Sequence, residues 1–242
     1  MDSLSERVVV ISGATSAIGR ALCRAFVDDG GTIYLLGRNV DRLHALADEM
    51  ARPNLDVSVA VTDLCSVTSI EELAATIGKR ESRVDLLIHA AGEFATGPIA
   101  TADVTEFDKL FQANVRGAYL LVQALLPLVR RPPGQIVFLN STVGLHGKEA
   151  TSAYAATQHG LRAIADSLRA EENRNGIRVV SLYLGRVATE RQERIFAQEG
   201  REYQPELLLQ PDDVAAMVVA AVQLPRTAEV TEIRMRPLVK SY

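Results

Sequence analysis

The sequence predicts an α/β fold in one domain, a parallel sheet of about seven strands wound on both faces by helices. Short apolar, β-branched runs alternate with helix-period segments from end to end. The runs are almost continuously apolar, as strands are when helices cover both faces of a sheet. No repeat, low-complexity tract or linker interrupts the rhythm, so residues 1–242 read as a single unit.

In chain order, the expected strands are Val8–Ser12, Thr32–Leu36, Val57–Ala60, Leu86–His89, Gln135–Asn140, Arg178–Leu184 and Ile233–Arg236. The expected helices are Ile18–Asp28, Val40–Met50, Ile70–Lys79, Glu106–Arg130, Ala153–Asn173 and Asp212–Gln223. Asn39 is placed to cap the second helix, and Ser69 with Glu72 three residues on forms a capping-box pattern for the third. Residues 187–210 are the least regular stretch, charged and apolar together, and read as a lid inserted over a site.

Composition narrows the partners. At 242 residues and 48% hydrophobic, the chain can bury a full core without a metal or disulfide. A net charge of −4 provides no basic field for nucleic acid, and no apolar run reaches the length of a membrane span. Cys23 and Cys65 lack metal-like spacing and read as ordinary buried or half-buried thiols, and the polar N-terminus does not resemble a signal peptide. A cytoplasmic protein with a small-molecule partner is expected.

Two stretches carry chemistry. In VVVISGATSAIGRAL, Gly13 and Gly19 lie between a buried strand and a helix, with Thr15, Ser16 and Ile18 between them. A tight turn there lets backbone N–H groups approach a phosphate at the helix N-terminus. In NSTVGLHGKEATSAYAATQH, Ser141 closes a buried strand, and Tyr154 and Gln158 share a helical face at i and i+4.

Together these stretches resemble the short-chain dehydrogenase/reductase family, over essentially the whole chain. The resemblance implies a Rossmann-like doubly wound sheet, an active site of Ser, Tyr-x-x-x-Lys and an upstream Asn, and a T-G-x-x-x-G-x-G turn. Here Ser12 and Ala17 replace the Thr and the middle Gly, Asn114 matches the Asn, and Gln158 stands where the family has Lys. The resemblance casts Ser141 as the group that holds the reacting oxygen and Tyr154 as the proton donor. Asn114 would shape its helix and hold a relay water, and Gln158 would keep only a ribose hydrogen bond. His159, the next residue, points about 100° away on the helix, while Lys148 offers a cation in the preceding loop. HAAG at His89–Gly92 stands where the family has N-N-A-G, with Ala91 and Gly92 retained against the cofactor. Asp63 matches the acid at the adenine edge. Gly185, Val187 and Thr189 match P-G-x-V-x-T with Leu184 in place of Pro, so Thr189 is a cofactor candidate.

Arg38 follows the second strand where an acid would favour NAD, and a guanidinium grips phosphate bidentately, so NADP(H) is expected over NAD(H). Arg191, Arg194 and Arg201 read as solvated charges of the lid. The implied activity is the NADP(H)-dependent interconversion of a carbonyl and a secondary alcohol. Without the Lys charge, cofactor binding without turnover, or non-redox chemistry on the same fold, remain the alternatives. The family also implies a homodimer or homotetramer, for which Tyr119–Leu128 and Leu161–Leu168 offer apolar faces.

Overall fold

The computed structural model describes residues 7–27, 30–131 and 133–239. Seven strands form one parallel sheet: β1 (Val8–Ser12), β2 (Gly31–Gly37), β3 (Leu55–Val61), β4 (Leu86–His89), β5 (Gln135–Ser141), β6 (Arg178–Leu184) and β7 (Glu232–Met235). Their order in space is β3-β2-β1-β4-β5-β6-β7. The chain therefore winds outward from β1 in one direction and, after crossing back to β4, outward in the other. That reversal opens a crevice beyond the carboxyl ends of β1 and β4.

Successive residues of a strand face opposite sides, and β1 divides accordingly. Val9 and Ile11 join Leu22, Phe26, Leu43, Val214 and Val218 in one core. Val8 and Val10 join Leu73, Ile77, Leu121, Leu125, Leu161 and Leu168 in the other. The first core is covered by α1 (Ala17–Ala25), α2 (Val40–Met50) and, further along the chain, α8 (Pro211–Val222); the second is covered by α3 (Val67–Arg80), α5 (Gly117–Val129) and α6 (Ser152–Glu172). Two further helices are α4 (Val104–Phe111), which packs against α6, and α7 (Glu190–Gln198), which lines the crevice.

Most boundaries agree with the sequence reading to within one or two residues. The end of the first helix at Asp28 lies outside the described residues. Asn39 caps α2, its Oδ1 accepting from Arg42 N–H at 2.9 Å. The Ser69 capping box is not formed: α3 begins three residues earlier, where Ser66 Oγ accepts from Ser69 N–H, and Ser69 Oγ instead accepts from Asp63 N–H. Two hydroxyl residues compete for the same start, and Ser66 gains another helical turn's worth of backbone bonds. Cys23 is buried as expected, but Cys65 is exposed on the loop after β3.

The largest departure is the expected helix Glu106–Arg130. It divides into α4, a π-helical turn over Gln112–Arg116, and α5. A π turn inserts an extra residue into the helical ladder and turns a local side chain out of register, and such turns recur at functional sites. The residue it re-aims is Asn114.

Candidate functional site

The crevice is a cleft of about 550 Å³ walled by the ends of β1, β2, β4, β5 and β6 and by α7. Among its lining residues are Gly13, Thr15, Ser16, Ile18, Arg38, Asp63, Ala91, Gly92, Asn114, Ser141, Tyr154, Gln158 and Thr189. Of the residues expected at the site, only Gly19 lies behind the wall, and its reason is steric. A Cβ on Gly19 would sit 2.1 Å from the Gly13 carbonyl oxygen, so only glycine lets α1 start this close to the turn. Gly13 itself has φ +68°, and a Cβ there would meet the Ala91 backbone at 2.8 Å.

This turn has a geometry that could receive an anion. Ser16 caps α1 by accepting from Gly19 N–H at 3.0 Å, and the positive end of the helix dipole faces the cleft. Arg20 and Arg42 both donate to the Thr15 carbonyl, at 3.2 and 3.4 Å. Arg38 pairs with Glu93 Oε1 at 2.7 Å across the cleft, both side chains largely exposed. The Asp63 carboxylate accepts from Cys65 N–H at 2.9 Å, so one of its oxygens already braces its own loop.

At the opposite end, Ser141 is the last residue of β5 and Tyr154 lies in the first turn of α6. Burial raises the Tyr154 phenol above its usual pKa, opposed by the nearby Arg191 charge and by a hydrogen bond with Ser141. Phe94 packs edge-on against the Tyr154 ring with centroids 4.9 Å apart. Gln158 is buried, its Oε1 accepting from Ser141 N–H at 3.1 Å, while its main-chain carbonyl accepts from Asn140 Nδ2 at 3.0 Å. Gln158 thus fixes the strand end that carries Ser141, a role the sequence reading did not assign to it. Lys148 is absent from the cleft lining and His159 turns its Nδ1 to the Ala155 carbonyl, so neither supplies the missing Lys charge.

Asn114 is buried within the π turn. Its Oδ1 accepts from Glu93 N–H at 2.7 Å, and its Nδ2 donates to the Glu93 carbonyl at 2.9 Å and to Thr157 Oγ1 at 3.1 Å. Thr157 Oγ1 in turn donates to the Tyr154 carbonyl at 2.7 Å. Both amide hydrogens of Asn114 are therefore spent on clasping the loop after β4 to α6. The expected hold on a relay water does not come from those hydrogens.

His89 explains how HAAG stands in for the family's amides. Its ring is fully buried with Nδ1 3.1 Å from Ser12 Oγ, and that oxygen accepts from Ala90 and Ala91 N–H at 3.2 and 3.3 Å. Which of Ser12 Oγ and His89 Nδ1 donates depends on the ring tautomer, and Nε2 is buried without a hydrogen-bond partner. Burial pushes the His89 pKa down to about 4. Ser12 and His89 are paired residues of adjacent strands, so the bond follows from the β1–β4 register.

Comparison with known proteins agrees with this geometry. The short chain dehydrogenase family model matches residues 7–200. The chain belongs to the short-chain dehydrogenase family. An uncharacterized oxidoreductase of Staphylococcus epidermidis is 29% identical over 239 residues, covering 98% of this chain and all of the relative. Among solved structures, an alcohol dehydrogenase from the archaeon Thermococcus sibiricus, complexed with 5-hydroxy-NADP, superposes with a TM-score of 0.87 at 26% identity over 98% of this chain and 99% of that one. Serine dehydrogenase from Escherichia coli superposes with a TM-score of 0.83 at 26% identity, over 97% of this chain and 100% of that one.

The site also brings in residues that the sequence did not point to: Glu93 on Arg38, Thr157 beneath Asn114, Phe94 on Tyr154, and Arg191 on the Gly92 carbonyl. The Thr at i+3 from Tyr was a usable local signal for Thr157. The others depend on loops that meet only in space.

Proposed function

We propose that this short-chain dehydrogenase is an NADP(H)-dependent oxidoreductase that interconverts a carbonyl and a secondary alcohol. The observation that carries the reading is that Ser141, Tyr154 and the α1 turn line one cleft. The donor set fits a phosphorylated dinucleotide: a helix N-terminus, Thr15, Ser16 and the three guanidiniums of Arg20, Arg38 and Arg42 lie at one end. When bound, a nicotinamide supplies or accepts the hydride. Ser141 would hold the carbonyl oxygen, and Tyr154, protonated at neutral pH, would donate to it as negative charge develops. Arg38 would read the 2′-phosphate in place of Glu93, an exposed exchange whose broken pair costs under ~1 kcal/mol. Asp63 would sit at the adenine edge, and Ala91, Gly92 and Thr189 would line the nicotinamide end. Residues 187–210 would act as the lid.

The protein is proposed to be a homo-oligomer, with one revision to the surface. Leu121, Leu125, Leu161 and Leu168, expected at the interface, pack in the chain's own core. On α4 and α5 the exposed large apolar side chains are Val104, Phe107, Phe111 and Tyr119, with Phe107 and Phe111 stacked at 6.2 Å.

Turnover tests the reading. NADPH oxidation is followed against a panel of aldehydes and ketones, with binding measured by nucleotide fluorescence. Turnover that disappears in Tyr154→Phe with binding retained supports the assignment. Tight binding without turnover of any carbonyl would favour a nucleotide-binding protein, a reading that rests on Gln158 in place of Lys.

A further inference from the structure

The Tyr154 site lacks the family's Lys, and the cleft raises the question of what cation serves it. Beyond Arg20, Arg38, Arg42 and Asp63, the charged side chains that line the cleft are Glu93, Glu190, Arg191 and Arg194. Glu93 is paired with Arg38 in the structure without nucleotide. Arg191 differs from the others in being anchored inward. It sits in the first turn of α7, just after the N-cap Thr189, and its Nη2 donates to the Gly92 carbonyl at 2.6 Å. Two residues beyond Gly92, Phe94 lies against the Tyr154 ring. One short loop therefore holds the guanidinium and touches the phenol's ring.

We infer that Arg191, carried on α7, is the cationic positioning residue of this site, supplying across the cleft mouth the positive charge that Gln158 cannot. The inference rests on the oxidoreductase reading for its catalytic consequence, but the placement of the charge does not. The preceding loop also carries His146, Lys148 and Glu149, and α7 carries Glu190, Glu193 and Arg194; Arg191 is the charged group that opposes the burial-driven rise of the Tyr154 pKa.

The arrangement has a chemical consequence. A Lys on α6 would act on Tyr154 whether or not the cleft is covered. Arg191 acts only while α7 is docked, through the Arg186–Glu199 ion pair at 2.7 Å and the Val187–Leu209 bridge. Activation of the phenol is thereby tied to closure of the 187–210 segment.

The test separates the charge from the turnover. A fluorinated tyrosine, whose phenol ionises near neutral pH, is placed at position 154 and titrated by absorbance and fluorine NMR in the full-length protein without nucleotide. Arg191→Gln is expected to move the midpoint to higher pH and Arg191→Lys to restore it, while Arg194→Gln leaves it in place. In turnover, Arg191→Gln should lower kcat for alcohol oxidation near pH 7.5 by about tenfold, with its pH profile displaced to the alkaline side. An unmoved midpoint in Arg191→Gln overturns the inference. A moved midpoint in a protein that turns over no alcohol or carbonyl upholds the charge placement and overturns the oxidoreductase reading.

Discussion

Acid should weaken this protein in part through one buried imidazole, and His89→Asn isolates that part. Above pH 6.5 the His89 ring is neutral in both folded and unfolded chains and costs nothing. In the folded protein its pKa is about 4, against 6.5 when free, because burial penalises the charged ring. Between those values the unfolded chain binds a proton that the folded chain refuses, so stability falls as pH falls, by about 1.4 kcal/mol per unit. The loss reaches about 3 kcal/mol near pH 4 and grows no further below it. Asn does not titrate and can still face Ser12. Urea unfolding of both proteins at pH 7.5, 5.5 and 4.5 gives the difference directly. Glu172 and Glu199 also have lowered pKa values and lose their stabilising charge as pH falls, but they do so in both proteins and cancel. The wild type should lose about 2.5 kcal/mol relative to His89→Asn between pH 7.5 and 4.5. Parallel pH dependences would refute the argument and show that His89 ionises without opening the core.

Gln158→Lys places a cation on the face of Tyr154, worth at most ~4 kcal/mol at about 4 Å, or roughly a thousandfold in alcohol oxidation. The gain should fall well below that ceiling in the wild-type background and rise in Arg191→Gln, as steady-state rates of the four combinations would show. Ser141 N–H keeps Asn140 Oδ1 as an acceptor at 2.7 Å, so the strand end survives the exchange. Arg38→Asp should weaken NADPH far more than NADH in fluorescence titrations; equal losses would mean that Arg38 does not read the 2′-phosphate. Phe107→Glu with Phe111→Glu should shift the protein toward monomer in sedimentation, and a wild type already monomeric at micromolar concentration would remove the proposed interface.

Much of the architecture is determined by local sequence. The apolar runs become strands because only a sheet covered on both faces buries them, and Val8–Ser12, Leu86–His89 and Arg178–Leu184 begin and end where the sequence reading places them. The glycine turn, the Asn39 cap and the Ser141–Tyr154 spacing are likewise short-range features, governed by backbone sterics and by the helical period. What tertiary structure decided is how distant segments meet. The π turn that aims Asn114 at Glu93 breaks a helix whose apolar period runs on without interruption, because side-chain bonds to the β4 loop and to Thr157 offset the disturbed ladder. Ser12 and His89 find each other across 77 residues through strand register, and Arg191 reaches Gly92 across 99. Sequence periodicity records which face of an element is apolar. It does not record which loop will lie opposite, and the electrostatics of the Tyr154 site are set by such a loop.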